Sequence, residues 1–212
     1  MNSPSLLSYL APLPLVAVLR GISPAEIPEI GAVLADSGFR MLEVPMNSPE
    51  PLESITLLAK SFGERCLTGA GTVVKVSDVA RVAQAGGRLV VMPHADVAII
   101  REAKRLGLTC VPGVSTLTEA FAALDAGADG LKMFPAELLA PAVLKAWRAV
   151  LPGDVVVFAV GGIRPDNMAP YWEAGADGFG TGSNLYKPGA SADDVRRAAA
   201  AYASGFAMLK PR

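Results

Sequence analysis

The stretch Gly127-Ala128-Asp129-Gly130-Leu131-Lys132-Met133-Phe134-Pro135 holds a helix stop, a short apolar strand and a strand stop within nine residues. Gly127 suits the positive φ that closes a helix C-terminus. Leu131, Met133 and Phe134 are apolar enough for a buried strand, and Pro135 ends it. One lysine sits inside. Lysine is rarely buried without a partner or a purpose, because burial disfavours the ammonium form. A lysine held neutral can attack a carbonyl and form a Schiff base. The stretch alone leaves open a second reading, a strand-end lysine that snorkels to solvent or pairs with a carboxylate.

Working outward, the same order of helix, glycine and short apolar strand recurs. Gly38, Gly63, Gly86, Gly107, Gly127, Gly153 and Gly175 lie, by subtraction, 25, 23, 21, 20, 26 and 22 residues apart. Each interval has the length of one helix plus one strand. The strands predicted after these glycines are Arg40–Val44, Cys66–Gly69, Arg88–Met92, Leu108–Val111, Gly130–Met133, Val155–Ala159 and Asp177–Gly180, and Leu15–Leu19 precedes them. Their continuous apolar character fits a parallel sheet covered on both faces. Helix starts are marked by Ser23-Pro24-Ala25-Glu26, Thr116-Leu117-Thr118-Glu119 and Ser191-Ala192-Asp193-Asp194, the last opening a helix to about Ser204. Eight such units predict an α/β fold, a single (β/α)8 TIM barrel spanning 1–212, with a short N-terminal helix over Pro4–Leu10 covering its bottom. An open doubly wound sheet is disfavoured, because no G-x-G-x-x-G follows the first strand.

Composition narrows the function. The chain has 212 residues, 51% hydrophobic and 18% charged, with formal net charge −1. The low charge content points to buried subunit contacts, and the absence of a Lys/Arg run or basic aromatic patch argues against nucleic acid. Pro4, Pro12 and Pro14 break the N-terminal segment, so neither a signal peptide nor a membrane span is expected. Cys66 and Cys110 lie in apolar strands and read as buried thiols of a cytoplasmic, reducing compartment. His94 is the single histidine, and without a Cys/His cluster no metal site is expected.

In a barrel, functional groups gather at the C-terminal ends of the strands. Those ends carry Arg20-Gly21, Glu43, Gly69-Ala70-Gly71-Thr72, Pro93-His94, Pro112-Gly113, Lys132, Gly161-Gly162 and Gly182-Ser183. Glu43 ends an otherwise apolar strand and reads either as an ion-pair partner of Lys132 or as a general acid/base beside it. Gly161-Gly162 and Gly182-Ser183 end the seventh and eighth strands, where barrels commonly bind phosphate through backbone N–H groups. Arg20 adds charge there or pairs with an acid. Thr72 reads as a substrate contact or a helix N-cap, and His94 as a structural residue or a substrate contact.

Gly69-Ala70-Gly71-Thr72, Leu131-Lys132-Met133-Phe134-Pro135 and Gly161-Gly162-Ile163 resemble motifs of the 2-keto-3-deoxy-6-phosphogluconate aldolase family, class I pyruvate aldolases on a (β/α)8 barrel. The resemblance runs from Leu15 to about Ala203. It implies Lys132 as the Schiff-base lysine and Glu43 as the acid/base. It also implies Arg20, Thr72, Pro93 and Phe134 around the substrate, Gly161, Gly162, Gly182 and Ser183 around phosphate, no cofactor, and a homotrimer. Two positions depart from the gluconate-type pattern: Asn47 stands where an arginine is usual and Val160 where a threonine is usual. Both resemble the galactonate branch and are expected to touch substrate. A gluconate or 4-hydroxy-2-oxoglutarate aldolase, a phosphate-binding barrel without activity, and a non-covalent sugar-phosphate isomerase or epimerase are the competing readings.

Overall fold

Closure of the sheet turns on Pro112. In the computed structural model, which describes residues 5–209, the strands are β1 (Leu13–Val18), β2 (Phe39–Pro45), β3 (Leu67–Gly71), β4 (Leu89–Val91), β5 (Thr109–Val111), β6 (Gly113–Val114), β7 (Leu131–Met133), β8 (Val157–Val160) and β9 (Gly178–Thr181). All pair in parallel, in the order β5-β4-β3-β2-β1-β9-β8-β7-β6. The two ends of that order, β5 and β6, are one strand interrupted at Pro112. β5 pairs with β4 and β6 with β7. Across the interruption the carbonyls of Cys110 and Pro112 accept from the N–H groups of Asp129 (3.0 Å) and Lys132 (2.8 Å). Proline has no N–H to give but keeps its carbonyl, so the fifth strand splits in two while the barrel still closes. The eight expected strands are present, with ends shifted by at most two residues and the fifth divided.

Eight helices alternate with them: α1 (Ile27–Asp36), α2 (Pro51–Phe62), α3 (Val76–Gln84), α4 (Val97–Arg105), α5 (Leu117–Asp125), α6 (Pro141–Arg148), α7 (Met168–Glu173) and α8 (Ala192–Ala207). Thr116 and Ser191 cap as expected, accepting from the N–H groups of Glu119 (3.3 Å) and Asp194 (3.2 Å). Ser23 instead opens a 3-10 turn, Pro24–Glu26, that leads into α1. Of the seven repeat glycines, five have positive φ; Gly63 stays right-handed at φ −60°, and Gly153 is not left-handed either. The expected N-terminal helix is a single 3-10 turn, Leu6–Tyr9, since Pro12 follows too soon for a longer helix; Pro4 lies outside the described residues. Among the described residues no helix is long and apolar enough to cross a membrane.

Alternating side chains on covered strands produce two apolar layers. Outward-facing Leu15, Ala17, Leu42 and Val44 pack in the layer shared with the helices. Inward-facing Val16, Met41, Leu67, Leu89, Val111 and Phe158 fill the barrel, and Leu6 and Tyr9 join them as a plug at the N-terminal ends of the strands. Leu6→Ala is expected to lower stability by about 2–4 kcal/mol. Because Leu6 lies at the end away from the strand C-termini, kcat/KM should stay within about twofold of wild type. Denaturant unfolding checks the first statement, and an unmoved midpoint would show that the plug contributes nothing.

Candidate active site

Alternation decides which polar groups enter the barrel. Met41 faces inward on β2, and two residues on, so does Glu43. The strand order puts β2 and β7 on opposite walls, four ladder steps apart either way when the split strand is counted once. Glu43 and Lys132 therefore approach the barrel axis from opposite sides. They are 1% and 7% exposed and line one small apolar cavity with Val16, Phe158 and Val160. No hydrogen bond joins them, and no ion pair within 4.0 Å is found between them; Glu43 Oε2 is buried with no hydrogen-bond partner.

Burial dominates both titrations. It pushes the Glu43 carboxyl up to about 7, against the pull of the Lys132 and Arg20 charges. It also lowers the Lys132 ammonium below its usual range, opposed by Glu43 and assisted by Arg20. The Phe134 ring lies 4.4 Å from Lys132 Nζ, an attraction for the charged amine that leaves it without a hydrogen-bond acceptor. Burial thus weakens the charged form of both groups, the condition for an amine that must be free to attack and an acid/base that must cycle.

The cavity opens toward the strand C-termini into a larger one of about 340 Å³, lined by Arg20, Lys132, Phe134, Val160, the Gly161-Gly162 and Gly182-Ser183 turns and, at the rim, Glu137. Gly161 and Gly162 have φ of 107° and 65°, conformations that glycine adopts freely and that expose backbone to a ligand. Asn167 Nδ2 holds the Gly162 carbonyl at 2.8 Å.

Among the described residues Arg20 makes no salt bridge. Its guanidinium donates to Asn47 Oδ1 (2.7 Å) and Thr72 Oγ1 (3.3 Å). Thr72 is no helix cap: α3 begins later, and Thr72 itself lies in the left-handed region at φ 55°. A β-branched residue there is strained, as residues at functional sites often are. Asn47 and Thr72 line neither cavity and reach the site through Arg20. Pro93 and His94 line neither cavity as well; Pro93 packs against Gly113, and His94 is exposed.

The sequence motifs were silent about three of these features. Gly71 lies against the Glu43 carboxyl, Gly180 gives room to the Val160 side chain, and the Glu137 carboxylate rests against Gly162. Gly71 stood in a quoted motif, but only the folded chain reveals what it touches.

The sequence matches the KDPG and KHG aldolase family over residues 7–200. The chain belongs to that family. It is 48% identical over 193 residues to a probable 2-dehydro-3-deoxy-6-phosphogalactonate aldolase of Rhizobium meliloti (strain 1021), covering 91% of each chain. It is 45% identical to the 2-dehydro-3-deoxy-6-phosphogalactonate aldolase of Escherichia coli (strain K12), covering 92% of this chain and 95% of that one. A solved structure of native KDPGal superposes with a TM-score of 0.91 at 43% identity, covering 94% of this chain and 97% of that one. Aldolases of this family are carbon–carbon lyases, and the isomerase and inert-barrel readings fall away.

In this member of the family, the carboxyl of Glu43 gives a stability test. Its ordinary value is 4.5 and its folded value about 7, so folding favours the protonated form. Its contribution is most favourable below 4.5 and is lost as pH rises through about 7. Glu43→Gln keeps the shape without the titration. Its Tm is expected to gain on that of wild type as pH rises from about 5 to about 8. A constant gap in scanning calorimetry would show that Glu43 does not titrate in this window.

Proposed function

We propose that the chain cleaves 2-dehydro-3-deoxy-6-phosphogalactonate to pyruvate and glyceraldehyde 3-phosphate through a Schiff base on Lys132. The observation that carries this reading is the buried, unpaired placement of Lys132 and Glu43 in one cavity that opens onto the glycine turns. The Lys132 amine attacks the C2 ketone, and loss of water leaves an iminium. Glu43 takes the proton of the C4 hydroxyl, C3–C4 breaks, and its electron pair flows into the iminium to give an enamine and the aldehyde. Protonation at C3 and hydrolysis by water return pyruvate and the free amine. Gly161, Gly162, Gly182 and Ser183 hold the phosphate through backbone N–H groups and the Ser183 hydroxyl. Arg20 adds positive charge, held in place by Asn47 and Thr72, and the Phe134 ring packs beside the reacting carbons.

Borohydride reduction with pyruvate should leave a pyruvyl adduct on Lys132, detected by mass spectrometry of the digested protein. Absence of the adduct from folded protein sinks the covalent mechanism. Lys132→Arg keeps a cation but loses the nucleophile and should abolish turnover.

Preference between C4 epimers rests on Asn47 and Val160. Asn47 accepts a hydrogen bond from Arg20; an arginine in its place could only donate, and would set a second cation beside the first. Val160 has the shape of threonine without the hydroxyl. A hydrogen bond gained or lost in such a site is worth about 1–3 kcal/mol, so kcat/KM is expected to favour the galactonate epimer by at least about tenfold. Asn47→Arg with Val160→Thr should move the ratio toward the gluconate epimer. Comparison of both substrates on both proteins decides, and a gluconate preference in wild type would refute the reading.

A homotrimer is the proposed assembly, supported by the low charge content and by the exposed apolar side chains Val74, Val76 and Phe121. Sedimentation as a monomer at micromolar concentration would remove it. A cytoplasmic location accords with two free, buried thiols.

A further inference from the structure

The buried Glu43 carboxyl is held by no donor, yet it has one immediate neighbour on β3. A Cβ built on Gly71 would lie 1.7 Å from Glu43 Oε2, 2.4 Å from Oε1 and 2.2 Å from Cδ. The carboxyl thus occupies the volume that any side chain at position 71 would need. Oε2, which has no hydrogen-bond partner, lies within reach of a weak contact from the Gly71 Cα–H.

We propose that Gly71 is a positioning residue for the reaction, its missing side chain being the seat in which the Glu43 carboxyl is held dry and facing Lys132 across the barrel. The inference rests on the reading of Glu43 as the acid/base.

Three observations separate this role from an ordinary structural glycine. First, Gly71 is not left-handed: it is absent from the positive-φ glycines, so alanine meets no backbone strain. Second, the three nearest obstacles to a Cβ are all atoms of one side chain end. At Gly69, two residues earlier on the same strand, a Cβ would instead strike the Leu89 backbone carbonyl at 2.0 Å. Alanine at 71 is therefore accommodated by moving the carboxyl, whereas alanine at 69 requires moving a strand. Third, the Gly71 carbonyl, which accepts from Met46 N–H at 2.8 Å, is untouched by the change.

A seat lined by Cα–H rather than by N–H or O–H also explains the direction of the Glu43 shift. No donor stabilises the carboxylate, so burial acts on it with only the distant charges of Lys132 and Arg20 in opposition. Displacing the carboxyl should weaken that effect as well as the geometry.

The test is a double-mutant cycle between Gly71→Ala and Glu43→Asp, since aspartate is one methylene shorter and leaves room for a methyl group. Gly71→Ala in the wild-type background is expected to fold, to lose about tenfold or more in kcat/KM, and to form the borohydride-trapped pyruvyl adduct correspondingly slowly. The limb of its pH profile near 7 should be displaced. Added to Glu43→Asp, the same alanine should cost no more than about threefold. If Gly71→Ala does not fold but the double variant does, the steric link is equally upheld. The proposal is overturned if Gly71→Ala keeps wild-type kcat/KM and pH profile, if the alanine costs the same in both backgrounds, or if both proteins fail to fold. Glu43→Gln, measured alongside, distinguishes the two levels. Retained turnover in that variant removes the acid/base reading itself, whereas an inactive Glu43→Gln beside an unimpaired Gly71→Ala removes only the role of Gly71.

Discussion

Two side chains that carry opposite charges in water approach each other inside an apolar barrel without joining. In a low-dielectric interior, a direct Lys–Glu ion pair would be a strong attraction that fixes both groups in their charged forms. Glu43 and Lys132 instead reach inward from opposite walls, with no ion pair within 4.0 Å, and burial acts on each separately. The carboxyl rises to about 7 and the amine falls. Each is shifted away from its charged form, which suits an amine that must attack and a carboxyl that must pass a proton to or from a bound reactant. Much of the structure can be read as support for this separation.

Several features maintain it. The strand split at Pro112 closes the ring and sets β7 opposite β2. Leu6 and Tyr9 pack into the inner apolar layer at the N-terminal end, away from the charged groups. Arg20, the third charge, stays at the mouth, tethered to two neutral acceptors rather than to an acid. It therefore keeps its positive potential for an anionic ligand and assists in lowering the lysine. A second tether joins the loops that flank the mouth. The Glu26 carboxylate accepts from Ser23 N–H, Tyr186 O–H and Gly189 N–H, tying the segment after β1 to the segment after β9.

A good part of the fold was legible in the residues. Apolar runs marked strands covered on both faces, and Thr116 and Ser191 marked helix starts through local hydrogen bonds. Local rules failed where a longer-range contact decided. Pro112 looked like the end of a strand, but its carbonyl still serves β7, so the strand resumes. Gly63 looked like the other helix-ending glycines, yet the chain continues from it in right-handed geometry. Thr72 looked equally suited to a cap or a ligand; the fold makes it neither cap nor cavity lining but an acceptor for an arginine 52 residues earlier. Asn47 was read as a substrate contact, and the fold shows it acting on Arg20.

The sequence by itself determined the order and kind of the elements, the sharing of one strand face by Met41 and Glu43, and the presence of a lysine in a strand too apolar to leave it exposed. Those properties repeat every two or every three to four residues, so a short window contains them. Only the tertiary structure decided which inward groups face one another, because that depends on how many strands separate them around a closed ring. It also decided the seat of the Glu43 carboxyl against Gly71 and the two perturbed titrations. Desolvation is a property of everything packed around a group, and nearly all of that packing comes from residues far away in the chain.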